Sequence, residues 1–302
     1  MLDILMRAGS FVAIIVLGYL LKRIGFFKQS DFTLLSRITL RITLPCAIIL
    51  SFAGKEIDPA LFALPVFALG CGLLYVAAGY AMNRKKSAEK RSFEMLNLAG
   101  YNIGTFVIPF AQSFVGPAGV MTANIFDIGN AVICLGGSYS LACMVKDGSR
   151  FSLKRVVRAL LRSAPFVVYI MMMTLSLLHW VLPSFVLSVA EIGSNANAFA
   201  AMLMIGVGFK LQARREQIMS LARMLAIRYG AAIVFALIFY FVLPFALEIR
   251  QTLVILAFAP IGASVPGFTG EMGGDVGLSS AFNSICMVIS IVVIVSLLLI
   301  ML

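Results

Sequence analysis

Apolar runs close to 20 residues long recur from one end of the chain to the other, each closed by a short polar or basic stretch. A helix of that length rises far enough to cross the hydrocarbon core of a bilayer. The pattern predicts ten membrane spans, at about 4–21, 32–52, 61–82, 93–114, 118–145, 163–181, 186–208, 223–247, 251–268 and 278–302. Only Gly116-Pro-Ala-Gly119 separates the fourth from the fifth, as a turn signal between two otherwise continuous apolar stretches. The first run lacks the basic start and small-residue cleavage site of a signal peptide and is expected to be a true span.

Composition agrees with the pattern. The chain has 302 residues, is 61% hydrophobic and has a mean hydropathy of +1.03. A soluble domain would be nearer half apolar. The expected fold class is an all-α polytopic membrane protein with no large soluble domain. Five cysteines lie in apolar runs without a CxxC pair, which reads as free thiols and not as a metal site or disulfide framework.

The net charge of +11 changes the picture further. In a soluble protein it would suggest nucleic acid; here it follows membrane topology, and no nucleic-acid partner is expected. Nineteen Lys and Arg residues fall in loops one, three, five and seven, against three (Arg7, Lys55, Arg250) on the other side. By the positive-inside rule the odd-numbered loops are cytoplasmic and both termini face outward, in a plasma (inner) membrane. Arg37 and Arg41 are left inside the second span. Loop seven is counted as Lys210, Arg214, Arg215, Arg223 and Arg228.

Ten spans divide into two sets of five: 1–145, then a short basic cytoplasmic linker at 146–162, then 163–302. The fourth span of each half carries related punctuation. Ile103-Gly-Thr-Phe-Val-Ile-Pro109 corresponds to Ile261-Gly-Ala-Ser-Val-Pro266, and Phe110, Gly116 and Gly119 correspond to Phe268, Gly274 and Gly277. The two spans run in opposite directions, so the expectation is two inverted five-helix repeats with broken helices 4 and 9 crossing at mid-membrane. Proline removes a backbone donor and glycine loosens the helix further, so both spans are expected to be broken. Freed backbone groups survive in a bilayer only inside protein or beside a wet cavity. Half-helix N-termini attract anions and C-terminal carbonyl ends attract cations, so such breaks can make a substrate and ion site without a cofactor.

Asn102-x-Gly104-x4-Pro109, the stretch Phe126-Asp-Ile-Gly-Asn130 and Ala259-Pro260 ahead of Pro266 resemble motifs of the auxin efflux carrier family, in its bacterial malate- and malonate-permease-like branch. The resemblance implies a bile-acid-symporter-like fold, with spans 1, 2, 6 and 7 as scaffold and spans 3–5 and 8–10 as a moving transport domain. It implies a secondary active transporter of a small organic anion, a carboxylate such as malate, malonate or an auxin-like acid, working by an elevator-type alternating-access mechanism. A homodimer through the scaffold helices is a further expectation. The long hydrophilic loop of the plant carriers is missing, which favours the bacterial branch.

Individual residues carry the chemistry. Asn102 lies beside the break, where its amide can bind a carboxylate or act as helix-to-helix glue. Gly104, Thr105, Pro109, Ser264 and Pro266 join it as candidate substrate-site residues, with Thr269 as an auxiliary. Asp127 has Asn124 and Asn130 three residues to either side, hence on one helical face. An ionisable group within a bilayer is a functional hypothesis by default. The expected role is coupling to H+ or to Na+ at Asp127, with Asn283 completing an ion site; the alternative is a contact that holds the transport domain together. Arg41 is a candidate counter-charge for the anion or a partner of Glu191. Asn195 and Asn197 are candidate cavity-lining residues, and Glu271 and Asp275 read as loop or gate groups. No GxxxxGK[ST], HExxH or GxSxG occurs, so no cofactor is expected beyond the coupling ion, and an enzyme is disfavoured. An anion channel or membrane receptor is the other class the residues leave open.

Overall fold

The computed structural model describes residues 2–55, 57–210 and 215–301. All regular secondary structure among the described residues is helical. Helix α1 spans Leu2–Arg23, α2 Asp31–Phe52 and α3 Pro59–Ala81. Helix α2 widens into a π-turn at Thr39–Thr43, ahead of Pro45. Such a widening accommodates a ring that can neither donate nor tolerate the carbonyl one turn back. Asp58 starts α3 by accepting from the N–H of Ala60 at 2.9 Å, with Pro59 in the first turn where no donor is missed.

The stretch Ala88–Asp147 is 60 residues long and nearly all helical. As one straight helix it would reach about 90 Å, three times the hydrocarbon thickness. It is folded back on itself. The Asn130 side chain bonds both backbone groups of Tyr101, 29 residues earlier, and Gly116, midway between them, takes φ +79°. A side chain at that φ would be strained, so glycine makes the reversal. The stretch is thus α4 (Ala88–Leu98), α5 (103–115) and α6 (116–147), with a further kink in α6 at Gly136 (φ +152°). The weak turn signal at Gly116–Gly119 marks a real division between two arms.

The expected basic linker contains a helix of its own. Ser152 accepts from the N–H of Arg155 at 3.3 Å and starts α7 (Leu153–Arg162), which bends by 78° into α8 (Ala164–Leu177). Helix α7 is amphipathic, with Val156 and Leu160 buried and Lys154, Arg158 and Arg162 exposed. The remaining elements are α9 (Ser184–Gly208), α10 (Arg215–Phe241), α11 (Leu247–Ala257), α12 (Val265–Glu271) and α13 (Val276–Met301). Among the described residues, seven helical stretches are long and apolar enough to cross a membrane, or eight if α7 and α8 count together. The architecture is that of a multi-pass membrane protein.

Lipid offers apolar helices no hydrophobic drive to associate, so close packing has to hold them together. Helix α9 lies along α1 and α2, and α8 against α2; α3 packs on α4 and α6, and α11 on α10 and α6. Where α1 meets α9, Gly18 faces Gly206, and a Cβ on Gly206 would lie 2.1 Å from the Ile15 carbonyl oxygen. Where α3 meets α6, a Cβ on Gly129 would lie 1.9 Å from the Pro65 carbonyl oxygen. In both places backbone touches backbone.

Helix α10 begins at Arg215, eight residues before the expected start of the eighth span at 223. Arg223 and Arg228 are therefore not loop residues. Arg223 pairs with Glu94, whose side chain is fully buried and also accepts from Asn83 at 2.7 Å. Arg228 is about 20 Å along the helix by rise per residue and only 1% exposed. The positive-inside pattern rests on the residues that remain.

Candidate substrate and ion-coupling site

Two helices are interrupted, and the interruptions touch. Helix α4 ends at Ala99, which is extended; Gly100 follows at φ +75°, and Asn102 is non-helical before the chain resumes as a π-turn at Ile103–Val107. Helix α11 ends at Ala257 and helix resumes at Val265. The Asn102 N–H donates to the Pro260 carbonyl at 2.8 Å across the two gaps. The fourth-span break lies beside Asn102, and neither proline makes a break itself. Pro109 is buried inside α5, just after the wide turn that absorbs its missing donor, and Pro266 occupies the first turn of α12, where a proline costs nothing. Glycine and the residues around it break the fourth span earlier than proline would.

The freed backbone groups find specific partners. The Asn130 carboxamide accepts from the Tyr101 N–H at 2.9 Å and donates to the Tyr101 carbonyl at 2.8 Å. The same amide nitrogen donates to Asp127 Oδ1 at 2.7 Å. Asp127 Oδ2 accepts from the Tyr169 hydroxyl of α8 at 2.9 Å. Gly104 keeps space free beside this carboxylate, since a Cβ there would meet Leu44 at 2.8 Å and Asp127 Oδ2 at 3.9 Å. The carbonyls of Leu98, Gly100 and Ala259, at the ends of the two interrupted helices, accept from the Arg228 guanidinium at 2.5, 2.9 and 2.7 Å. That guanidinium lies over the rings of Tyr75 and Tyr101, 4.9 and 5.3 Å from their centres.

Two cavities flank the breaks. The first, about 140 Å³, is lined by Asn102, Gly104, Thr105, Asp127, Asn130, Tyr169 and Ser264 among others. The second, about 300 Å³, is lined by Asn102, Lys210, Ser264, Pro266, Asn283 and Ser284 among others. Asn102 and Ser264 belong to both. Asn102 is 5% exposed; its Oδ1 accepts from Thr105 Oγ1 at 2.6 Å, while its Nδ2 has no protein partner. Asn283 Oδ1 is likewise buried without one. Leaving a buried polar group unpaired costs about 1–3 kcal/mol, and such exceptions call for an explanation, of which a ligand is one.

Of the residues singled out from sequence, Asn102, Gly104, Thr105, Asp127, Asn130 and Ser264 gather around the first cavity, and Pro266 and Asn283 line the second. Others are elsewhere. Arg41 is exposed on α2, lines neither cavity and makes no ion pair with Glu191. Asn124 is buried but donates to Ser51 of α2 at 2.7 Å and lines neither cavity, so only one of the two flanking amides reaches Asp127. Thr269 is buried in a network with Asn97 and Ser279. Asn197 bonds Thr43 and Gln112, and the exposed Asn195 lines a separate cavity with Gln112 and Ser194. Glu271 and Asp275 are exposed, paired with Arg155 at 2.6 Å and Gln217 at 2.7 Å.

The sequence does not mark Tyr169 as a site residue, and it assigns Lys210 and Arg228 to a loop. Arg228 had a signal: it is the one charged residue between Arg223 and Glu248, in a run that is otherwise apolar. Tyr169 had none, because a tyrosine in an apolar helix looks like any amphipathic filler.

Residues 6–149 match the family model described as membrane transport protein, the auxin efflux carrier family. This bears out the family expected from the short motifs, over the first half of the chain. The chain is also similar to a protein described as an uncharacterized transporter from Methanothermobacter thermautotrophicus, 22% identical over 209 residues, covering 68% of this chain and 67% of that one. Family and relative both indicate a transport protein and not an enzyme.

Proposed function

We propose that this protein is a secondary transporter of a small organic anion, a mono- or dicarboxylate, working by alternating access and coupled to H+ or Na+ through Asp127. The observation that carries the reading is Asn102: a buried amide donor without a partner, at the start of a half-helix, between two cavities. The N-terminal end of α5 adds a partial positive charge at the same point. Lys210 on the second cavity supplies a full one. Together they favour an anion and leave its non-polar part to the Leu and Met side chains of the lining.

The finer architecture belongs to the same proposal. Counting Ala88–Asp147 as two arms and α11–α12 as one broken span brings the number of spans to ten, and the contact of the two breaks supports an inverted repeat with crossing helices. The packing of α9 on α1 and α2 and of α8 on α2, apart from the packing among α3, α4, α6, α10 and α11, supports a scaffold and a transport domain. Both termini are proposed to face out of the cell across the plasma membrane, with a second copy bound through the scaffold.

The test is uptake by purified protein in liposomes, across a panel of mono- and dicarboxylates, with imposed pH or Na+ gradients. Saturable uptake that also runs in counterflow supports the proposal. Flux that never saturates would make the protein a channel.

A further inference from the structure

Three carbonyl oxygens from two separate broken helices converge on one point inside the protein. Leu98 and Gly100 end α4, and Ala259 lies just past the end of α11. Each helix C-terminus carries about half an elementary negative charge. Two of them together amount to about one negative charge, in a place that water does not reach. Converging backbone carbonyls are the ligand type that holds hard monovalent and divalent cations, and carbonyl ends of broken helices serve that purpose in transporters. Here the position is filled by the Arg228 guanidinium, which is 1% exposed and donates to all three oxygens. The rings of Tyr75 on α3 and Tyr101 in the first break, set edge to face with each other, both lie against it, and the Tyr75 hydroxyl donates to the Arg228 carbonyl at 2.9 Å. No acidic side chain pairs with it among the described residues.

We infer that the junction of the two broken helices is a cation site whose cation is part of the chain: Arg228 is a positioning residue that permanently occupies a carbonyl cluster that a free monovalent cation would otherwise fill. A covalently held cation cannot be exchanged during a transport cycle. The junction therefore contributes structure and a fixed charge, and ion coupling, if present, is confined to the Asp127 side. The structural part stands on the geometry alone; only the statement about coupling rests on the transporter reading.

The experiment compares wild type, Arg228→Ala and Arg228→Lys, purified in detergent, by thermal unfolding in choline, sodium and potassium chloride at equal ionic strength, and with millimolar guanidinium chloride. In choline, Arg228→Ala is expected to melt about 10 °C lower than wild type, because three buried carbonyls and two tyrosine rings lose their cation. Sodium or guanidinium should recover much of that loss saturably in Arg228→Ala. Arg228→Lys should recover part of it without any added ion, since an ammonium has three donors. Wild type should respond to sodium only through Asp127, so Asp127→Asn should remove any such response. An Arg228→Ala protein that melts low and ignores every cation overturns the inference, as does one that melts like wild type. If Arg228→Ala does not fold, an Arg228→Lys protein that also does not fold, or gains nothing from its charge over Arg228→Met, overturns it equally. None of these outcomes depends on whether any anion is taken up, so a failure of the transport assay leaves the result readable.

Discussion

Asn130 faces the backbone of Tyr101 as a second peptide group would, accepting from its N–H at 2.9 Å and donating to its carbonyl at 2.8 Å. One side chain thereby repairs the hydrogen bonding that the break in the fourth span destroys. Its third bond, to Asp127 at 2.7 Å, links that repair to the carboxylate.

Asn130→Ala should therefore destabilise the protein more than an ordinary polar deletion. Two buried backbone groups and one carboxylate oxygen lose their partner, at about 1–3 kcal/mol each. A fall in melting temperature well beyond that of Asn124→Ala, which has one side-chain partner, is the expected result. Equal losses in the two variants would mean that the Tyr101 contacts carry little weight.

Asn102→Ala should spare the fold and weaken substrate. Its Nδ2 has no protein partner to lose, and only Thr105 is left unpaired. An apparent affinity about tenfold poorer corresponds to one hydrogen bond to a charged ligand. Asn102→Asp should be worse, because it places a negative charge against an anion. Titration of uptake against substrate concentration gives both numbers, and unchanged affinity would move the anion away from this residue.

Asp127→Asn should abolish accumulation against a gradient while leaving exchange of substrate across the membrane. The amide keeps a hydrogen-bonding group next to Asn130 and Tyr169 but can neither release a proton nor bind a cation by charge. Concentrative uptake and counterflow, measured side by side in liposomes, separate the two activities. Accumulation that survives would assign coupling elsewhere.

Tyr169→Phe removes the bond from α8 to Asp127 on α6 (2.9 Å) and nothing else of comparable size. A hydrogen bond to a charged group is worth about 1.5–3 kcal/mol, enough to shift a two-state equilibrium by a factor of about ten or more. If α6 moves against α8 during transport, the variant should change turnover and the accessibility of a cysteine introduced near the first cavity. A variant with native turnover and accessibility would show that the bond is not broken in the cycle.

Much of this arrangement is visible in the chain before any coordinates. Apolar run length anticipates all seven helical stretches that are long and apolar enough to cross a membrane, and Asp127 with Asn130 stands out because a charge in such a run has to have a reason. Helix α10 shows where the reading stops. Counting basic residues between spans absorbs Arg228 into a topology rule, although it lies five residues past Arg223, inside an apolar run. Proline and glycine punctuate the fourth span alike in sequence, but they act differently. Pro109 is tolerated by a widened turn, whereas Gly100 takes a backbone conformation that ends the helix. Asn124 and Asn130 are equivalent by helical spacing, and only packing against α2 separates them. Tyr169 and Arg228 meet their partners from 31 to 130 residues away, and no local pattern encodes such contacts.

Asp127 sits two residues from Gly129, where the backbones of α3 and α6 touch with no side chain between them. Its backbone is fixed by that main-chain contact, and both carboxylate oxygens are held, by Asn130 and by Tyr169. A carboxylate held at both levels has little freedom to close in around a small ion or draw back from a large one. Any cation admitted there has to match the carboxylate, so discrimination among ions would be decided by radius before it was decided by charge.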